Sequence, residues 1–255
     1  REYTVRAKNN FVISDYFETE KFIDNLPFKL TKGQQTAISE ILNDMSGTTV
    51  MNRLVQGDVG SGKTIIAFLA LIKAVQNGGQ AALMVPTEVL ARQHMDSFQA
   101  LMAQSGLDFR AVLLTGSMRA SEKRAALQMI ADGQADLVIG THALFQEKVS
   151  FRDLALIVTD EQHRFGVRQR TLLGEKGQCP HTLVMSATPI PRTMAVILYA
   201  DLDISVIDEM PAGRRPVKNA VVDTSYRPAA YRFIEKQVRA GHQAYVICAM
   251  VEESD

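Results

Sequence analysis

A chain of 255 residues, 46% hydrophobic and 22% charged, has the length and make-up of a globular protein with a sizeable core. Its formal net charge of +0 excludes a polyanion-binding surface spread over the whole molecule, so any nucleic-acid contact must be a local patch. The longest wholly apolar run, Ile65 to Ile72, is too short to span a bilayer, and no signal peptide opens the chain.

Residues 1–26 show no clear period and read as a lead-in from a preceding domain. The pattern changes at Pro27. Thr31 is placed to cap a helix carrying Ala37, Ile38, Ile41, Leu42 and Met45 at helical spacing. Leu54 to Gln56 ends a buried strand, and Ile65 to Val75 forms a helix stopped by Gly78 and Gly79. Ala81–Val85, Ala111–Leu114, Leu137–Ile139, Leu154–Thr159 and Thr182–Met185 are predicted strands; Glu88–Ala103 and Ser121–Ile130 are predicted helices. Short apolar runs alternating with helices predict an α/β fold, a parallel sheet with helices on both faces, over residues 27–210. Glu209 to Pro216, with two prolines and a glycine among charges, reads as a linker. A strand at Ala220–Val222, a helix at Pro228–Ala240 and a strand at Gln243–Cys248 begin another β-α-β unit over residues 211–255. The start on Arg1 and the stop inside that unit predict a piece of a longer protein.

Gly57-Asp58-Val59-Gly60-Ser61-Gly62-Lys63-Thr64 fits the phosphate-binding pattern G-x-x-x-x-G-K-[ST] at every fixed position, between a strand and a helix. Glycines let successive N–H groups converge on anionic oxygens, and the helix aims its positive end at the same point. The pattern assigns Lys63 to the β and γ phosphates of ATP and the Thr64 hydroxyl to Mg²⁺. Downstream, the strand Leu154–Thr159 runs into Asp160 and Glu161. Carboxylates at the carboxyl end of a parallel strand lie where ligands gather in such folds. Asp160 there can hold Mg²⁺ through water, and Glu161 can orient the attacking water.

Asp160-Glu161-Gln162-His163 resembles the DEx[HD] box of superfamily-2 helicases and translocases, and other segments follow in that superfamily's order. Phe28 to Gln34 resembles the adenine-reading motif. Pro86-Thr87 to Arg92-Gln93, Thr115-Gly116 and Gly140-Thr141-His142 resemble the strand-contacting motifs, and Ser186-Ala187-Thr188 the coupling motif. Two longer stretches, Asp160 to Arg170 and Met185 to Thr193, resemble the RecG family of bacterial branched-DNA helicases. Transcription-repair coupling translocases share the Ala187-to-Thr193 block. The resemblance covers about Leu26 to Asp255.

It implies a RecA-like domain followed by the truncated start of a second one. It implies a DNA helicase that binds ATP and Mg²⁺ and remodels branched or duplex DNA at stalled forks and junctions in repair and recombination. Gln34, whose amide both donates and accepts, suits the adenine edge, with Gln35 as the alternative one position on. Thr87, Arg92, Thr115, Gly116, Gly140, Thr141 and His142 would meet DNA phosphates without reading bases. Helix caps and turns are the competing reading for each. His163, Ser186 and Thr188 would couple nucleotide state to the track. Arg164, Arg168 and Arg170 are either a solvated face or a contact to DNA or the other motor domain.

The second motor domain with its arginines and the upstream wedge domain are expected outside this chain, so the piece alone should bind nucleotide yet turn over poorly. A monomer in the cytoplasm, with Cys179 and Cys248 as free thiols, is expected. The alternatives are a transcription-repair coupling translocase, an RNA helicase and a P-loop module that senses nucleotide without doing work.

Overall fold

Seven strands, all paired in parallel, form one sheet in the computed structural model, which describes residues 8–9, 22–146, 148–160, 179–187, 202–209 and 219–247. They are β1 (Asn52–Gly57), β2 (Gln80–Met84), β3 (Ala111–Leu114), β4 (Leu137–Gly140), β5 (Leu154–Asp160), β6 (His181–Ser186) and β7 (Asp203–Ile207). Their order across the sheet is β3-β4-β2-β5-β6-β1-β7. The sheet belongs to the first of two compact units, Arg1–Ala212 and Gly213–Asp255.

Parallel strands need crossovers, and the described helices among them cover both faces of the sheet. Helices α1 (Lys32–Met45), α2 (Lys63–Gln76) and α3 (Glu88–Ser105) pack on one face through Ile38, Ile66, Phe68 and Phe98. Helix α4 (Ala120–Ala131) packs on the other through Ala126 and Ile130, with the 3-10 turn His142–Phe145 beside it. The strands alternate accordingly. In β2, Ala81 and Leu83 join the first core while Ala82 and Met84 join the second. Burial on both faces is why these strands read as unbroken apolar runs. Each large apolar side chain so buried contributes about 1.5–3 kcal/mol. Helix α2 is buried almost all round, which explains its lack of a polar face.

Two local devices fix the ends of elements. Thr31 Oγ1 accepts the Gln34 N–H at 3.3 Å, and Gln34 Oε1 accepts the Thr31 N–H at 2.9 Å, a complete capping box for α1. Gln80, buried at the start of β2, uses its whole amide. Nε2 donates to the carbonyls of Ile130 (3.0 Å) and Ala135 (2.8 Å), and Oε1 accepts from the N–H groups of Arg152 (2.8 Å) and Asp153 (3.1 Å).

Strand β7 was not legible as a strand, because it is an edge strand with mixed burial and a charged first residue. It pairs with β1, Arg53 opposite Asp203 and Gly57 opposite Ile207. In the second unit α5 (Arg227–Arg239) is present, but the expected strands are not: residues 220–222 and 243–247 have no regular structure. Val221, Tyr245 and Ile247 are almost wholly exposed. Apolar, β-prone residues become a strand only when a partner completes the hydrogen-bond ladder, and the described residues of this unit supply none.

Candidate functional site

The loop between β1 and α2 is built around glycine. Gly60 and Gly62 both sit at φ 82°, a left-handed conformation that a side chain would strain. A Cβ on Gly62 would also lie 2.3 Å from Gln34 Nε2. Lys63, buried at the first position of α2, folds its ammonium back onto the loop and donates to the carbonyls of Gly57 (2.7 Å) and Asp58 (3.0 Å). The Ser61 hydroxyl is buried with no hydrogen-bond partner among the described residues. A loop closed by a lysine and opening onto a helix N-terminus, with an unpartnered hydroxyl within it, has the donor set that suits phosphate oxygens. The adjacent Thr64 hydroxyl suits a hard divalent cation.

Gln34 is tied into this loop. Its Nε2 donates to the Ser61 carbonyl at 2.9 Å, while its Oε1 serves the α1 cap. Gln35 turns away, Nε2 donating to the Leu30 carbonyl at 3.2 Å. Phe28 stands about half exposed ahead of the cap, at 51%. Glu209, just past β7, accepts the Gly33 N–H at 3.2 Å. The Thr31 hydroxyl and that N–H hold its carboxyl below the usual carboxylate range. A residue assigned to a linker therefore pins the start of α1.

Asp160 ends β5, two strands from the loop. Strand β6 lies between them, with Gln56 opposite Ser186 and Met185 opposite Asp160. The P-loop, Ser186 and Asp160 thus stand level along the carboxyl edge of the sheet. His94, buried on α3, places Nε2 3.5 Å from Asp160 Oδ2 and its ring edge-on to Phe68, centroids 6.1 Å apart. The sequence reading passed over His94, although one helical turn past Leu90 it continues the buried face of α3. Glu161, His163, Arg164, Arg168, Arg170, Thr188 and Cys248 lie outside the described residues.

Residues 31–197 match the family model described as DEAD/DEAH box helicase. The chain belongs to the DEAD/DEAH box helicase family. It is 52% identical over 231 residues to the ATP-dependent DNA helicase RecG of Streptococcus pneumoniae, covering 91% of this chain and 34% of that protein. It is 48% identical over 240 residues to the Escherichia coli protein of the same name, covering 92% of this chain and 34% of that one. The chain thus spans about a third of the length of these curated relatives. A structure of RecG bound to a three-way DNA junction superposes with a TM-score of 0.79 at 43% identity, covering 91% of this chain and 31% of that one. The DEAD-box helicase Mss116 bound to single-stranded RNA shares the fold, with a TM-score of 0.65 at 21% identity, 93% of this chain and 54% of that one.

In this helicase-family domain the residues expected to meet a nucleic acid cluster at the carboxyl ends of β2, β3 and β4. Thr87 is exposed but also caps α3, its Oγ1 accepting the Leu90 N–H at 3.3 Å. Arg92, Gly116 and His142 are exposed and Thr141 half-buried. Two expectations need correcting as side-chain or surface contacts. Thr115 has no exposed surface, so its hydroxyl points inward and only the neighbouring Gly116 and Ser117 face outward. Gly140 is buried, and a Cβ there would meet the Leu114 carbonyl oxygen at 2.1 Å, so the glycine serves close packing of β4 against β3. Glu88, which the sequence reading did not single out, joins two of these segments by accepting the Ser117 N–H at 2.9 Å and the Ser117 hydroxyl. Those bonds hold its carboxyl below the usual range.

Proposed function

We propose that this chain is the first motor domain of an ATP-dependent DNA helicase or translocase of the RecG kind, acting on branched or duplex DNA in repair and recombination. The observation that carries the reading is the loop Gly57–Thr64, closed by Lys63 and level with Asp160 along one sheet edge. The 52% identity to a protein named as a DNA helicase supports DNA over RNA.

In this reading residues 27–210 form the RecA-like ATP-binding domain, and residues 211–255 a linker and the start of a second. The N–H groups of Gly57 to Thr64 bind the phosphates, and Lys63 leaves its loop carbonyls to neutralise the β and γ oxygens. Gln34 positions the loop and presents its remaining donor to the adenine. Thr64 and Asp160 would hold Mg²⁺, which supplies charge neutralisation on the transferred phosphoryl group. Glu161 orients the water that attacks the γ phosphorus in line as the bond to the β-phosphate oxygen breaks. Ser186, with His163 and Thr188, relays the γ-phosphate state to Thr87, Arg92, Gly116, Thr141 and His142 on the DNA side. A second motor domain supplies arginines, an effect typically worth ~10³–10⁵ in rate, so this chain alone binds nucleotide and turns over slowly.

No described helix is long and apolar enough to cross a membrane. The test is ATPase activity of the chain extended through its upstream region and a complete second domain. Forked DNA, linear duplex and single-stranded RNA are compared as effectors. Preferential stimulation by forked DNA is expected. Stimulation by RNA alone would move the protein to RNA helicases, and none by any effector would leave a nucleotide sensor.

A further inference from the structure

A chain of zero net charge can meet a polyanion only through a local concentration of cations, and the structure has one outside the motifs already described. A groove of about 530 Å³ is lined by Ala120, Lys123, Arg124 and Leu127 of α4 together with Gln146 and Lys148. Three of these six residues are cationic and none is a carboxylate. Glu147 lies outside the described residues. Arg124 and Lys148 are exposed, and Lys123 is half-buried with Nζ donating to Gln146 Oε1 at 3.2 Å. That bond ties the first turns of α4 to the segment after β4. The nearby acid on α4, Glu122, accepts the Arg119 N–H at 3.3 Å instead.

Position decides what the groove can take. It is lined by the first two turns of α4, which begins four residues after Gly116, and by the segment that begins five residues after Thr141. Strand β3 is five places from β1 in the sheet, about 24 Å at the usual strand spacing, so the groove is separate from the nucleotide loop. Among the described lining residues none is aromatic, so these side chains offer no platform for stacking a base. Exposed cations on two elements, without base-reading groups, suit a run of backbone phosphates.

We infer that the Lys123–Arg124–Lys148 groove binds phosphates of a DNA strand and extends the track beyond Gly116 and Thr141. The inference rests on the DNA-motor reading above. The test is the salt dependence of DNA binding by the full-length protein that carries this chain. Wild type is compared with Lys123→Gln/Arg124→Gln/Lys148→Gln and with Arg110→Gln, which removes a charge just before the amino end of β3. Each phosphate contact contributes about 0.9 to the slope of log K against log salt on duplex DNA. The triple variant should lower the slope by up to about 2.7, so that between 50 and 200 mM salt wild type loses roughly 40-fold more affinity than the variant does. Arg110→Gln should leave the slope alone, and thermal midpoints should match.

An unchanged slope in the triple variant, or an equal change in Arg110→Gln, overturns the groove while leaving the motor reading intact. Absence of DNA binding by wild type overturns both. A change seen with single-stranded RNA and not with DNA overturns the assignment to DNA.

Discussion

Gln34 Nε2 donates to the carbonyl oxygen of Ser61 at 2.9 Å, joining the start of α1 to the loop before α2. Gly62 is the neighbour that permits this, because any Cβ there would fall 2.3 Å from the same nitrogen. The side chain proposed to read adenine therefore also shapes the phosphate loop. Gln34→Ala is expected to weaken adenine nucleotides and inorganic triphosphate alike, by roughly tenfold if one hydrogen bond to the loop is lost. Titration with ATP and with triphosphate checks this. A loss confined to ATP would show that Gln34 acts on the base alone.

Gln80 is a buried amide with all its hydrogen-bonding directions in use, joining α4, β4 and the entry to β5. Gln80→Leu fills similar space but strands donors and acceptors away from water. A loss on the order of 3 kcal/mol is expected. Urea denaturation measures it, and a change under 1 kcal/mol would mean that water replaces the amide.

Arg53 is a buried guanidinium near the start of β1. It is 2.8 Å from Asp44 Oδ2, 3.0 Å from Glu40 Oε2 and 2.9 Å from Ser205 Oγ. It fastens edge strand β7 and helix α1 to β1. Both carboxylates keep some solvent, so Arg53→Met should destabilise by about 2–3 kcal/mol, below the range for a fully buried pair. Thermal and urea unfolding report it. Hydrogen exchange should show β7 released first.

Glu209 contributes with a defined pH sign. Its folded carboxyl titrates below the ordinary value because the Thr31 hydroxyl and the Gly33 N–H favour the charged form. A lowered folded value means stabilisation that is full above the unfolded pKa and lost as pH falls through the folded one. Glu209→Gln should melt lower than wild type at pH 7, with the gap closing below about pH 5. A gap that persists into acid would point to packing instead of charge.

The sequence by itself determined the α/β architecture and marked the glycine-rich loop, because both rest on short-range rules. Apolar runs such as Leu137–Gly140 and Leu154–Asp160 are buried on both faces, and Gly57–Thr64 carries its glycines, lysine and threonine at fixed spacing. It also marked the Thr31 cap, since Thr31 stands just ahead of apolar residues at helical spacing. Only the tertiary structure decided which distant residues meet. His94 beside Asp160, Glu209 on Gly33, and Arg53 among Glu40, Asp44 and Ser205 join residues that no local period relates. It also separated Thr115, turned inward, from Gly116, turned outward, and showed Gly140 to be a packing glycine. In the second unit local propensity misled, because Val221 and Ile247 have the chemistry of strand residues and no described strand to pair with. Composition set the charge at zero; folding gathered Lys123, Arg124 and Lys148 into one groove. Local chemistry fixes an element's type, whereas contacts between elements depend on how the whole chain minimises exposed apolar surface and unpaired polar groups.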